Sequence, residues 1–297
     1  MPHIFKDTIA VIGAGTVGTA VGVLLRTAGH PIAAIADRSE EALKKSFSHT
    51  NAKTFSNICD AASLAQCILI TVSDDAIRHV CDKIAAGTSL NGKKVVHMSG
   101  AGGLDLLESA QKAGALVAAI HPIQSFADVE GAIGNIPGST FGITAAPQIQ
   151  DWAAAFVKDL GGRPFFVNEE DRPLYHAAAC MASNYLVSLM DAAGNIYQHL
   201  GLTREEALNA FWPLVKGTLN NIASRGTVDS LTGPIARGDL GTLAKHIAAF
   251  KQKMPAMIEV YCVMGAVTVE IALAKGTISA RRSEEINRLL KEAQKED

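Results

Sequence analysis

The run Thr8-Ile-Ala-Val-Ile-Gly13-Ala14-Gly15-Thr16-Val17-Gly18-Thr-Ala constrains this chain more than any other: a short apolar strand leads into G-x-G-x-x-G and a helix-like stretch through Leu25. Gly13 permits a tight turn off the strand, and Gly15 lets the backbone approach a pyrophosphate closely. Gly18 removes a side chain where helix and strand pack together. A pyrophosphate would rest on the positive end of the helix, whose first N–H groups have no intrahelical partner. Glycine-rich turns occur widely. The strand before, the helix after and the position near residue 1 give this one the reading of a dinucleotide site rather than a purely structural turn. Gly13, Ala14, Gly15, Thr16, Val17 and Gly18 are therefore the first cofactor-binding candidates.

The next strand leaves the dinucleotide open between NAD and NADP. After His30-Pro31 the run Ile32-Ala-Ala-Ile-Ala ends at Asp37-Arg38-Ser39, and Asp37 lies 24 positions after Gly13. A carboxylate at that distance accepts from ribose hydroxyls and repels a 2′-phosphate, which favours NAD. Arg38 and Ser39 argue the other way, because a guanidinium pairs bidentately with phosphate and a hydroxyl adds a bond. The simpler alternative is a solvated Arg38 and a Ser39 that caps the helix starting Glu40-Glu41-Ala42.

Composition narrows the remaining classes. With 297 residues, 48% of them hydrophobic, the chain can bury a large core as one large or two ordinary domains. A net charge of −2, with no basic run, gives no electrostatic reason to expect nucleic acid or an anionic membrane surface. Met-Pro-His-Ile-Phe-Lys lacks the apolar core of a secretory signal. The apolar stretch Val260 to Ala274 is interrupted by Glu270 and reads as too short to span a bilayer. Five scattered cysteines, at 59, 67, 81, 180 and 262, form no C-x-x-C. They fit reduced thiols in a cytoplasmic protein, with no metal site.

Strand-like and helix-like runs alternate through residue 168. Ile32–Ala36, Cys67–Val72, Lys94–Met98, Ala115–Ile120, Thr140–Thr144 and Phe165–Val167 read as strands. Such alternation predicts an α/β domain with a parallel, doubly wound Rossmann sheet over residues 1–168. Beyond it the pattern is helical, which predicts an all-α domain over 169–297 that holds substrate and forms a homodimer through apolar helices. Its helices read as Pro173–Leu200, Arg204–Arg225, Leu240–Phe250, Ala256–Ala274 and Arg281–Ala293. Asp171-Arg172-Pro173 and the capping box Thr203-x-x-Glu206 mark two starts, and Pro213 should kink or interrupt its helix.

Ligands of such sheets bind beyond the C-terminal ends of the strands, so the cleft between the two expected domains is where chemistry should lie. Strand ends there supply Val72-Ser73, Ser99-Gly100 and His121-Pro122-Ile123-Gln124-Ser125-Phe126. Val72, Ser73 and Ser99 are candidates to line the nicotinamide ribose, against the simpler role of helix caps. His121 opens a long connection to Pro137-Gly138 and is a candidate catalytic residue. The helix from Pro173 carries His176, Ser183, Asn184 and Asp191 within about 100° of arc on an otherwise apolar surface. A buried polar stripe needs partners, which are either neighbouring helices or a polar substrate. In the second case His176 supplies the proton that accompanies hydride transfer, with Ser183 and Asn184 orienting the substrate.

Several motifs in order make the pattern more specific: Gly13–Gly18, His121-Pro-Ile-Gln-Ser-Phe, Tyr175-His176-Ala-Ala-Ala through Ser183-Asn184-Tyr185, Pro213-Leu-Val-Lys-Gly217-Thr218, Leu231-Thr232-Gly233-Pro234 and Arg237-Gly238-Asp239. Together they resemble the Rossmann-like oxidoreductases whose C-terminal part is the domain of unknown function 2520. The resemblance implies an NAD(P)-dependent oxidoreductase with no established substrate. More distantly the chain is similar to the β-hydroxyacid dehydrogenase, ketopantoate reductase and pyrroline-carboxylate reductase group, which joins a Rossmann domain to a helical dimerisation domain. It departs from the hydroxyacid dehydrogenases at their catalytic lysine. The residue one turn before Asn184 is Cys180, and no Lys occurs from Arg163 to Val215. Lys216, Asn221 and Arg237 are further candidates to contact a substrate carboxylate, against ordinary surface roles.

Three function classes follow. The first is a hydride-transferring enzyme acting on a small carbonyl, imine or hydroxy-acid compound. The second is a dinucleotide-binding sensor or scaffold without turnover, which the missing lysine favours. The third is an NADP reductase with a second redox cofactor.

Overall fold

The computed structural model describes residues 6–295. The chain forms two compact units, Met1–Leu186 and Val187–Asp297.

The first unit is built on an eight-stranded sheet in the order β3-β2-β1-β4-β5-β6-β7-β8. The strands are β1 (Ile9–Ile12), β2 (Ile32–Ala36), β3 (Thr54–Phe55), β4 (Cys67–Ile70), β5 (Lys94–His97), β6 (Leu116–Pro122), β7 (Thr140–Ala145) and β8 (Arg163–Phe166). Helices α1 (Thr16–Thr27), α2 (Glu40–Thr50), α3 (Ile58–Ser63), α4 (Asp74–Gly87), α5 (Glu108–Lys112), α6 (Val129–Asn135) and α7 (Gln150–Asp159) connect them. Every residue of β1 and β4 is buried, because both faces of a parallel sheet are covered. Alternate side chains serve two cores: Ile9 and Val11 point to one, Ala10 and Ile12 to the other.

The sheet is parallel except for one pair. β6 and β7 run antiparallel, with His121 opposite Gly142. The segment between them leaves and re-enters the sheet at the same end, where Ile123 N–H donates to Thr140 O at 2.8 Å. It is also not the open loop expected after His121, since it contains α6, capped by Asp128 accepting from Gly131 N–H at 2.6 Å.

The first unit does not stop where the strand pattern stops at residue 168. Helix α8 (Arg172–Ala182) belongs to it through Arg172, which has no exposed surface. Its guanidinium donates to Ser99 O, Gly102 O and Thr144 Oγ1, so the start of α8 is tied to the ends of β5 and β7. The single helix expected from Pro173 to Leu200 is two helices. It breaks at Ser183 (φ −115°, ψ −67°), after which α9 (Asn184–His199) begins.

The second unit adds α10 (Arg204–Ser230), α11 (Leu240–Lys253), α12 (Ile258–Ala274) and α13 (Ala280–Ala293). The expected capping box is present, with Thr203 Oγ1 accepting from Glu206 N–H at 3.2 Å and Glu206 Oε2 accepting from Thr203 N–H at 2.8 Å. Helix α10 runs through Pro213 and is instead interrupted at Gly226, whose φ of 79° only glycine adopts readily. Pro255–Ala274 forms 20 helical residues of mean hydropathy 1.8, long and apolar enough to cross a membrane despite Glu270. One face of it packs on α13: Cys262, Val269 and Ala272 are buried with Ile286, Leu290 and Ala293.

His97 at the end of β5 is fully buried, and its nitrogens have fixed roles. Nδ1 accepts from Ser99 N–H at 3.1 Å, and Nε2–H donates to Gly103 O at 3.0 Å. A second proton on Nδ1 would face the Ser99 N–H. Burial therefore holds His97 down at about 4, against an ordinary value of 6.5. The unfolded chain takes up this proton below pH 6.5 and the folded chain does not, so stability is full above 6.5 and lost on descent to about 4. His97 alone should take about 3 kcal/mol from the stability read by urea unfolding over that interval. In His97→Gln, which cannot charge, the pH dependence should be shallower by that amount, and an unchanged slope would refute the assignment.

Candidate functional site

The glycine motif folds as its spacing demands. Gly13 leaves β1 at φ 110°, and a Cβ there would lie 2.7 Å from the Thr71 carbonyl. A Cβ on Gly18 would collide with Gly13 O and the Thr71 side chain, so the close approach of α1 to the strand requires glycine. Gly15 is different. It is the N-cap of α1, it makes no side-chain cap, and nothing beyond its chain neighbours lies within 4 Å of where its Cβ would be. The open space and the uncapped N–H groups of the first turn, at Thr16 and Val17, suit a pyrophosphate.

A cavity of about 810 Å³ opens here, lined by Gly13, Gly15, Asp37, Arg38, Val72 and Ser73. Its wall also includes His79 and Lys83, one turn apart on α4, which sequence reasoning passed over. Asp37 occupies both carboxylate oxygens with backbone: Oδ2 accepts from Ala14 N–H at 2.7 Å and Oδ1 from Ser39 N–H at 2.9 Å. Ser39 lies off the cavity wall and caps α2, its Oγ accepting from Ala42 N–H at 3.2 Å. Ser73 makes no side-chain cap and faces the cavity instead.

Next to Ser73 the chain builds a second group of polar residues. Ser99 Oγ donates to Asp74 Oδ2 at 2.8 Å and accepts from Gly102 N–H at 3.0 Å. Gly100 then passes between two imidazoles. A Cβ on it would lie 2.9 Å from His121 Nε2 and collide with the His176 ring. The two rings are edge to face, with centroids 5.7 Å apart. His121 Nδ1 meets the Tyr175 hydroxyl at 2.9 Å, and His176 has the Cys180 thiol 3.9 Å from its Nδ1. Burial, with His176 and Arg172 nearby, holds His121 down at about 4, so it is neutral at physiological pH.

The structure thus brings together Ser73, Ser99, His121 and His176, from three strand ends and α8. It does not extend the polar stripe as expected. Ser183 closes α8 and Asn184 opens α9, so the break removes the regular arc between them and His176. Asp191 accepts from Arg204 at 2.9 Å and Asn195 at 3.2 Å, both in the second unit. Nor is the helix surface buried: Leu174 is 74% and Met181 64% exposed. Lys216 and Arg237 are exposed, and Asn221 Oδ1 accepts from Arg225 at 3.1 Å. Tyr175 and Gly100 were missed as site residues, although both adjoin residues that the sequence singled out. The signal for Tyr175 was its place three residues after Arg172, on the same face of α8.

Two domain families match the chain: a Rossmann-like domain over residues 5–122 and a domain of unknown function, number 2520, over residues 139–268. Among curated proteins, an NAD(P)+ glycerol-3-phosphate dehydrogenase of Lysinibacillus sphaericus is 34% identical over 107 residues, 31% of this chain and 31% of that relative. The chain thus matches about a third of that relative's length. A candidate NADP oxidoreductase of Bacteroides fragilis shares the fold with a TM-score of 0.73 at 20% identity, over 89% of this chain and 98% of that one. A pyrroline carboxylate reductase of Plasmodium falciparum with NADP bound gives 0.58 at 15% identity, over 95% and 98%. By these matches, residues 5–122 are similar to a Rossmann-like domain and residues 139–268 to the domain of unknown function 2520.

Proposed function

We propose that this protein is an NAD(P)-dependent oxidoreductase that moves a hydride between nicotinamide and a small carbonyl, imine or hydroxy-acid substrate. One observation carries the reading: His121 and His176 converge on Gly100, one residue from Ser99 and linked through Asp74 to the cavity that Gly13, Gly15 and Ser73 line. Proton-handling groups and a dinucleotide-sized cavity then share one end of the sheet, as this fold class requires of its ligands. A nicotinamide coenzyme, when bound, supplies or accepts the hydride. His176 gives a proton to the carbonyl oxygen or imine nitrogen as the double bond's electron pair moves onto that atom. Ser183 and Asn184, about 10 Å further along the chain's helical path, orient the far end of the substrate. The names of the relatives, an NAD(P)+ dehydrogenase and a reductase holding NADP, support this class of chemistry. His176→Gln should abolish turnover of reduced coenzyme across a panel of keto acids, hydroxy acids and imines while leaving coenzyme affinity within about twofold. Turnover equal to that of the parent protein would sink the assignment.

The open adenosine end favours NADP(H). Arg38, His79 and Lys83 line it against one carboxylate, and both oxygens of Asp37 are already engaged by backbone N–H groups. Replacing Arg38 by Ala should weaken NADPH binding about tenfold while changing NADH little, since a charged hydrogen bond to the 2′-phosphate contributes about 1.5 kcal/mol. Equal losses for the two coenzymes, measured by fluorescence titration, would place Arg38 outside the phosphate site.

The protein acts as a homodimer in the cytoplasm, on this reading. Leu200, Leu208, Trp212, Leu214 and Leu219 are exposed apolar side chains on or beside α9 and α10, an apolar surface that suits a second copy of itself. Light scattering should give twice the 31.2 kDa chain mass, and Trp212→Glu should shift it toward the monomer. A monomer in the unsubstituted protein would end the dimer reading.

A further inference from the structure

We infer that Tyr175 is a positioning residue that locks His121 in its Nδ1–H form, so that the bare Nε2 accepts a hydrogen bond from an N–H or O–H group of the substrate. The inference rests on the functional reading above for the word substrate alone; the tautomer stands on the hydrogen bonds themselves.

Three groups surround the Tyr175 hydroxyl: Gly142 N at 3.1 Å, His121 Nδ1 at 2.9 Å and His121 O at 3.2 Å. A phenol has one proton to give and two lone pairs to receive with. The Gly142 N–H can only donate, and the His121 carbonyl can only accept. The single phenolic proton therefore goes to the carbonyl, and the remaining lone pair takes a proton from the ring nitrogen. The opposite arrangement would send the phenolic proton to Nδ1 and leave two oxygens 3.2 Å apart with no hydrogen between them. With Nδ1 protonated and the ring neutral, Nε2 carries a lone pair.

That nitrogen is aimed at the site. It has no hydrogen-bond partner among the described residues, and it is not sealed off in the interior. It lies beside Gly100, with the His176 ring across from it. The charged and titratable groups acting on His121 are His176, Arg172, Asp74 and His97; burial, with His176 and Arg172 nearby, keeps Nε2 from protonating at neutral pH. An acceptor in this place selects between substrate forms. A protonated imine or amine presents an N–H and a hydroxy compound an O–H, whereas a ketone offers Nε2 only a second lone pair. The antiparallel pairing of β6 with β7 makes the device possible, because it sets Gly142 directly opposite His121 and lets one phenol reach both.

Long-range 1H–15N correlation spectra of the full-length protein read the tautomer directly, with His121→Gln identifying the resonance. The parent protein should show His121 as Nδ1–H, and Tyr175→Phe should move it to a mixture rich in Nε2–H. Pyrrolidinium, added in the presence of NADP+, should shift the Nε2 resonance in the parent protein, and cyclopentanone should not. An Nε2–H form in the parent protein, or an unchanged tautomer in Tyr175→Phe, would overturn the lock. Equal response to both probes, or to neither, would overturn the acceptor role. The parent spectrum decides the tautomer even if Tyr175→Phe does not fold. No turnover is involved, so these outcomes stand apart from failure of the oxidoreductase reading, which the His176→Gln assay judges.

Discussion

A guanidinium with no exposed surface organises the site end of this protein. Arg172 forms no ion pair among the described residues, yet burying a charge costs several kcal/mol unless its donors are filled. Ser99 O, Gly102 O and Thr144 Oγ1 give each of its three nitrogens a partner. These acceptors come from the ends of β5 and β7, so satisfying Arg172 fixes the first turn of α8 against both. Tyr175 and His176 stand three and four residues further on, one turn along the same helical face. They can only arrive at His121 and Gly100.

The loop after β5 shows the same economy. Ser99 and Gly102 turn their carbonyls toward Arg172, His97 takes the Ser99 N–H and the Gly103 carbonyl, and the Ser99 hydroxyl reaches Asp74. Little of the loop is free to move without leaving a buried polar group unpaired, which is costly. Gly100 has to be glycine in this setting because two rings occupy the place of its side chain. The glycines of the first turn have a different logic. Gly13 and Gly18 are required by the chain's own atoms, while the space over Gly15 is left for something that is not protein.

Much of the framework was legible in the residues. The apolar runs Ile9–Ile12 and Cys67–Ile70 could only be strands covered on both faces, and Thr203 with Glu206 closed the capping box expected of them. Features that depend on distant partners were not legible. The antiparallel turn of β7 follows from where its connection re-enters the sheet, and the break at Ser183 interrupts a run whose composition is helical throughout. Helix α8 looked like the beginning of the helical domain, since nothing local distinguishes an arginine at a helix start in water from one buried beneath a neighbouring loop. Tyr175 stood in plain view beside His176. Its role depends on Gly142, 33 residues away.

By itself the sequence determined the strand–turn–helix geometry of Gly13–Gly18, the change from alternating to helical pattern near residue 168, and the caps at Ser39 and Thr203. These are set by short-range sterics and hydrogen bonding within a few residues, which composition and spacing encode directly. Only the tertiary structure decided that α8 belongs to the sheet unit, that Asp37 is engaged by backbone, and that His121, Tyr175, Gly100 and His176 form one group. Those outcomes depend on burial and on partners far apart in the chain, where the need to satisfy every buried donor and acceptor selects among arrangements that are locally equivalent.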